Sequence, residues 1–403
     1  MLKSFENLGT DFMPDTNIPN PMGRGRFVYQ VTDEESIRSC VANTYLVNIK
    51  NKGKLDVLKN ALVSKLIIKD KTAIGVEIIL ECGTKIKAYA RKEVVLSAGT
   101  FNTPQLLLLS GIGPKAELEK LGIPVVLDQP KVGKNLQDHA HVPIAVVGGP
   151  SAADTLEVVM SLLELKTFPL PMTTSLFNVN KGPKEQSPEI QTITLNFGAA
   201  SPLYYYFCHI TFNFNLTVCN SFFKDTLLRE VYYTLTVLND PLSRGEVTLR
   251  STDIKDPPII KPMFFNNTMD LITLSKAAKK VYELKSEYYE KVGGCFSRPP
   301  LSECDDLEFG CDDYWICYTR IMSSTTYHPA GTCAMGSDGV TDSDLKVRGI
   351  KNLRVVDASV IPKLPTDHTN SSLVLFPVST PPVSANCPAR YPLSNSLPVT
   401  VPI

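Results

Sequence analysis

Two short stretches near the C-terminal end of the chain carry the residue types that could do chemistry: Tyr327-His328-Pro329-Ala330-Gly331-Thr332-Cys333-Ala334-Met335-Gly336 and Asp367-His368-Thr369-Asn370. They hold two of only five histidines, forty positions apart in Gly-, Pro- and Thr-punctuated segments. Histidine takes and returns a proton near neutrality. Held at the ends of separate elements, the pair could flank one reacting hydroxyl. The same two side chains could equally be unrelated loop histidines, and residue type alone leaves both readings open.

Asp357 is a further candidate. The β-branched run Leu353-Arg354-Val355-Val356 reads as a buried strand, and a carboxylate at its C-terminal tip sits where α/β sheets bind ligands. The competing reading is a turn or helix-capping aspartate. Thr369-Asn370-Ser371-Ser372 before Leu373 has the composition of a helix N-terminus, whose free N–H groups favour an anion or an electron-rich ring. Gly111-Ile112-Gly113-Pro114-Lys115-Ala116 matches G-x-G-x-x-A, but a helix pattern precedes it where a strand is required, so helix termination is the better account.

The elements that must position these residues follow from local pattern. Val57–Ile68, Ala73–Leu80 and Thr84–Ala90 read as a small antiparallel layer. Lys92–Ser97 reads as a buried parallel strand ending at Ala98-Gly99. A helix follows, with Thr103 as N-cap, Pro104 in its first position and Gly111 as a left-handed stop. Lys115–Leu121 gives a second short helix. From about Val142 to Arg320 strand-like runs (Glu189–Phe197, Tyr204–Val218, Glu230–Leu238, Glu246–Leu249) and one good helix, Met269–Leu284, suggest an antiparallel domain. The first forty residues read as surface loops, and seven prolines in the last 27 indicate a disordered tail.

Composition bounds the partners. A chain of 403 residues should hold two lobes at roughly 100–200 residues per domain. Forty-one basic residues balance 41 acidic ones, so no basic field exists to neutralise phosphates and nucleic acid is not expected. The most apolar window, Ala200–Phe223, is interrupted by His209, Asn213, Asn215, Thr217 and Asn220 and does not read as a membrane span. Ten cysteines without a C-x-x-C pair make a metal site unexpected. Cys208 and Cys219 bracket one segment, and Cys295, Cys304, Cys311, Cys317 and Cys333 crowd another; disulfides and free buried thiols both fit. Asn215-Leu216-Thr217 and Asn266-Asn267-Thr268 are glycosylation sequons.

An ordered series of motifs resembles the glucose–methanol–choline (GMC) oxidoreductase family, most of all its insect glucose-dehydrogenase-like branch. It runs through Ser97-Ala98-Gly99, Asn102, Pro104, Gln105–Leu109, Ser110-Gly111-Ile112-Gly113 and Val132-Gly133-Lys134-Asn135-Leu136-Gln137-Asp138-His139. It resumes at Gly245–Ser251, Asp256-Pro257-Pro258, Tyr327–Gly336 and Leu353–Asn370. The resemblance implies an α/β (overall α+β) protein: an incomplete FAD-binding Rossmann-like lobe plus an antiparallel-sheet substrate domain. The corresponding domains are 1–141 and 321–376 for FAD, 142–320 for substrate and 377–403 for the tail. By position His328 matches the family's catalytic base and His368 the second member of the pair. The same matching sets Val63, Ala98, Gly99, Asp357, Ala358, Thr369 and Asn370 against FAD.

The implied function is oxidation of a CH–OH group of a small alcohol or sugar, with hydride passing to flavin and then to a quinone-like acceptor or oxygen. An extracellular location is implied as well, although Met1-Leu2-Lys3-Ser4-Phe5-Glu6 lacks a signal peptide's apolar core. Family members begin with a strand, a G-x-G-x-x-G turn and a helix that grip the FAD pyrophosphate, and no such section is found here. The alternative expectation is therefore a truncated, catalytically inactive GMC-like protein with a binding or structural role.

Overall fold

The β-branched runs become strands among the residues that the computed structural model describes: 11–13, 23–26, 46, 53, 55–150, 172–181, 187–199, 201–226, 229–284 and 287–366. The chain divides into two units, one of Met1–Cys40, His139–Ser243 and Phe264–Tyr327, the other of Val41–Asp138, Arg244–Met263 and His328–Ile403. Residues 244–263 group with the second unit.

The first unit is built on an antiparallel sheet of seven strands. Its order is Gly23–Arg26, Met172–Phe177, Ile190–Phe197, Arg229–Leu238, Ala140–Pro150 and Cys295–Phe296, with Ser324–Thr325 also pairing to Ala140–Pro150. Gly23–Arg26 is thus a strand, paired to Met172–Phe177, although Pro and Gly around it read as loop. The helix Thr268–Tyr282 forms as its pattern predicts, and the Asn267 side chain caps it by accepting the Met269 N–H at 3.0 Å. It packs with the helix Asp312–Met322, whose Trp315 and Tyr318 are fully buried.

The expected strand Tyr204–Val218 is instead helical: Pro202–Tyr205, a π-helical turn Tyr206–Thr211, and a helix Leu216–Thr226. Aromatic residues raised its strand propensity, but within the helical segments the buried Tyr204 and Cys208 lie four apart, and Val218 and Cys219 lie four and three before Phe222, spacings that a helix places on one face. Among the described residues two disulfides, Cys208–Cys219 and Cys304–Cys317, fasten this unit. Cys82, Cys295, Cys311 and Cys333 are free.

In the second unit the three-stranded sheet Ala61–Lys69, Thr72–Leu80, Lys85–Tyr89 forms as read. Beside it runs helix α1, Gly99–Leu109. Leu106, Leu107, Leu108 and Leu109 are all buried, so the helix is apolar on every side and central to the core. Each such leucine contributes about 1.5–3 kcal/mol on burial. α1 starts four residues before the expected N-cap Thr103, which leaves Pro104 inside the helix. It ends as predicted, with Gly111 left-handed at φ +82° just past the cap residue Ser110. No helix among the described residues is long and apolar enough to cross a membrane.

Candidate active site

Strands Val94–Leu96 and Leu353–Val355 pair in parallel, with Val94 opposite Leu353 and Leu96 opposite Val355. Their C-terminal tips, Ser97-Ala98-Gly99 and Val356-Asp357-Ala358, therefore emerge side by side, where α/β sheets present ligands. The Ser97 hydroxyl donates to the Val356 carbonyl at 2.9 Å, and the Val356 N–H donates to the Leu96 carbonyl at 2.8 Å. Ser97 and Ala98 are exposed, and so is half of Val95 (49%), unlike a strand buried on both faces.

Asp357 holds these tips together. Its Oδ1 accepts the Ser359 N–H at 2.8 Å and the Ser359 hydroxyl at 2.5 Å. Its Oδ2 accepts the Gly99 N–H at 3.0 Å and the Thr103 hydroxyl at 2.6 Å. One carboxylate thus caps the short 3-10 helix Ala358–Val360 and also receives the first N–H of α1. The Thr103 oxygen in turn accepts the Ala98 N–H at 3.0 Å. Thr103 therefore fastens the start of α1 from inside the helix.

His328 is partly buried, and its backbone N–H donates to the Asp138 carboxylate at 3.0 Å. The segment that follows is fixed at nearly every backbone group. Ala330 exchanges two hydrogen bonds with Gln137 at 2.9 Å, Gly331 N–H donates to Ala358 at 3.1 Å, and Cys333 N–H donates to Ser359 at 2.7 Å. Met335 N–H donates to Val360 at 2.8 Å, and the Thr332 carbonyl accepts Gly133 N–H at 2.8 Å. The stretch Val132–Asp138 is thus the frame for the His328 loop. Gly331 has φ +95°, and a Cβ there would lie 2.5 Å from the Asn135 carbonyl oxygen, so only glycine fits this close approach.

Electrostatics support the same frame. Burial works against the charge of Lys134, but Glu117 and Glu246 at 2.8 and 2.7 Å outweigh it and hold the ammonium above the usual lysine range. Burial, helped by the Asp357 charge, pushes the Cys333 thiol well up, so it stays protonated at neutral pH and is no nucleophile.

Of the expected site residues, Ala98, Gly99, Asp357 and Ala358 are brought together, and the His328 loop is bonded to Ala358 through Gly331. Val63 stands elsewhere, opposite Ile78 in the three-stranded sheet. Its strand is tied to the far end of α1, where Leu66 N–H donates to the Ser110 hydroxyl at 2.9 Å. His368, Thr369 and Asn370 lie outside the described residues. Sequence reasoning missed the organising roles of Asp138, Thr103 and Thr332.

Comparison with known proteins gives a consistent result. GMC oxidoreductase family models match residues 1–141 and 241–376. Ecdysone oxidase of Bombyx mori is 35% identical over 384 residues, covering 93% of this chain and 56% of that protein. Glucose dehydrogenase [FAD, quinone] of Drosophila melanogaster is 32% identical over 389 residues, covering 93% and 60%. The chain thus spans less than two thirds of the length of these relatives. Among solved structures, formate oxidase of Aspergillus oryzae RIB40, a protein studied for its FAD modification, aligns with TM-score 0.72 at 26% identity, covering 93% of this chain and 67% of that one. Pyridoxine 4-oxidase superposes equally well (TM-score 0.72, the same coverages) at 21% identity, which speaks for the fold alone.

The group these likenesses imply is FAD, and the strand tips fit it. Gly99 has φ +81°, and a Cβ built on it would meet nothing within 4 Å, so the backbone faces open space. The exposed small residues Ser97 and Ala98 beside it leave a flat group room to lie against main chain.

Proposed function

The chain belongs to the GMC oxidoreductase family, and from that premise we propose that it is an FAD-dependent oxidoreductase acting on CH–OH groups of small alcohols or sugars. The observation that carries the reading is the bonding of the His328 loop to Ala358 and Ser359 through Gly331 and Cys333, with Asp357 joining that tip to Gly99 of the other. FAD, when bound, supplies the hydride acceptor. Ala98, Gly99, Asp357 and Ala358 would hold it through backbone and packing. His328 takes the hydroxyl proton, and the negative charge left on oxygen makes the carbon a better hydride donor. The proton stays on the imidazole until solvent removes it. His368 remains the second member of the pair by resemblance, donating to the developing alkoxide. Relatives named for ecdysone, alcohol and glucose support the substrate class. The acceptor that takes the electrons from the enzyme is quinone-like or oxygen, and two disulfides support an oxidising, extracellular compartment.

The test is the visible spectrum of the purified chain. A bound flavin that an alcohol or sugar bleaches is the expected result, and His328→Ala should stop bleaching while leaving flavin in place. A second reading, an inactive member of the family with a binding role, is favoured by the two-stranded parallel sheet and half-exposed Val95. A colourless protein would select it.

A further inference from the structure

Pro104 has no N–H, so the carbonyl four residues earlier, that of Thr100, loses its partner in α1, and the proline ring pushes it outward. A buried carbonyl left this way is costly. Here the hydroxyl of Thr332, itself 0% exposed, donates to the Thr100 carbonyl at 2.6 Å. In return the Thr100 hydroxyl donates to the Pro329 carbonyl at 2.8 Å. Two reciprocal hydroxyl–carbonyl bonds therefore peg Pro329 and Thr332 to a single turn of α1, and His328 immediately precedes the first peg.

We propose that Thr332 is a positioning residue for His328, and that Pro104 keeps open the acceptor on which it rests. The role of the histidine itself depends on the function proposed above, but the hydrogen-bond exchange does not. Thr332→Val keeps the shape and removes the donor, stranding the Thr100 carbonyl. Pro104→Ala supplies an intrahelical N–H to the same carbonyl. The two changes should therefore be strongly non-additive.

Thr332→Val alone should lower the Tm of the full chain by about 3–8 °C. In the Pro104→Ala background the same change should lower it by less than half as much. Hydrogen–deuterium exchange should separate stability from positioning. In Thr332→Val, peptides covering 328–335 should exchange at least about tenfold faster, and should remain fast in the double variant even though its Tm recovers, because the Thr332 peg is still missing and only the Pro329 peg remains. Thr332→Ser should restore slow exchange. With substrate, the double variant should show turnover reduced about tenfold with KM within twofold of the parent. Equal Tm losses in the two backgrounds, or unchanged exchange at 328–335, would overturn the proposal. Should His328→Ala leave turnover intact, the function assigned to His328 falls, while the Tm and exchange results still decide whether the peg exists.

Discussion

Replacing Asp357 by asparagine tests whether one carboxylate organises the strand tips. Both oxygens are engaged, Oδ1 by two donors of Ser359 and Oδ2 by Gly99 N–H and the Thr103 hydroxyl. In Asp357→Asn one oxygen becomes an NH2 group. A hydroxyl facing it can rotate and accept, but a backbone N–H cannot. Whichever way the amide turns, either Gly99 or Ser359 therefore loses its acceptor, and the remaining bonds lose their charge assistance. Hydrogen bonds to charged groups contribute about 1.5–3 kcal/mol, and Asp357 is only partly buried, so the lower part of that range applies, about 2 kcal/mol. That is roughly a thirtyfold shift in a local opening equilibrium. The assay is hydrogen–deuterium exchange in peptides covering 94–110 and 353–361, with Asp338→Asn as a control. Asp338 pairs with Lys131 at the surface, its side chain 81% exposed, and its change should leave exchange as it was. If Asp357→Asn matched that control, the double-capping argument would be refuted.

Two further outcomes concern the sheet unit. Burial drives the pKa of His141 down to about 3, its ring lying 4.5 Å from that of Phe212. Folding then favours the neutral form, so stability is complete above about pH 6.5 and falls as pH drops toward 3, by up to about 1.4 kcal/mol per pH unit. Urea unfolding followed by the single tryptophan, Trp315, should show this slope, and His141→Gln should remove it; an unchanged slope would contradict the assignment. Cys208–Cys219 closes a loop of sequence separation 11, so changing both cysteines to serine should destabilise the same transition by about 3 kcal/mol, and a loss below about 1 kcal/mol would contradict it.

What was legible in the sequence divides along physical lines. Runs such as Val94–Leu96, Ile190–Phe197 and Arg229–Leu238 were legible as strands because their β-branched, apolar and threonine-rich composition favours extended backbone, although Val95 is exposed and Gln191, Thr192 and Thr194 are buried. Gly111 was legible because a left-handed stop requires glycine. The segment 202–226 was not, since its aromatic residues favour strand until tertiary packing at helical spacing overrides them. Thr103 and Pro104 pointed to a helix start by local preference, yet α1 begins at Gly99 because Asp357, more than 250 positions away, supplies the missing acceptor. In the candidate site the histidine and the glycine-bearing tips could be read from motif order. The partners Asp138, Thr103 and Thr332 could not, because each acts through a bond made only once distant segments meet.

The most direct measurement is the flavin absorbance, at roughly 350–500 nm, of the purified chain before and after an alcohol or sugar is added without oxygen. The account predicts a flavin spectrum that the substrate bleaches, and a His328→Ala variant that keeps the spectrum but is not bleached. A variant bleached as fast as the parent would contradict the central claim.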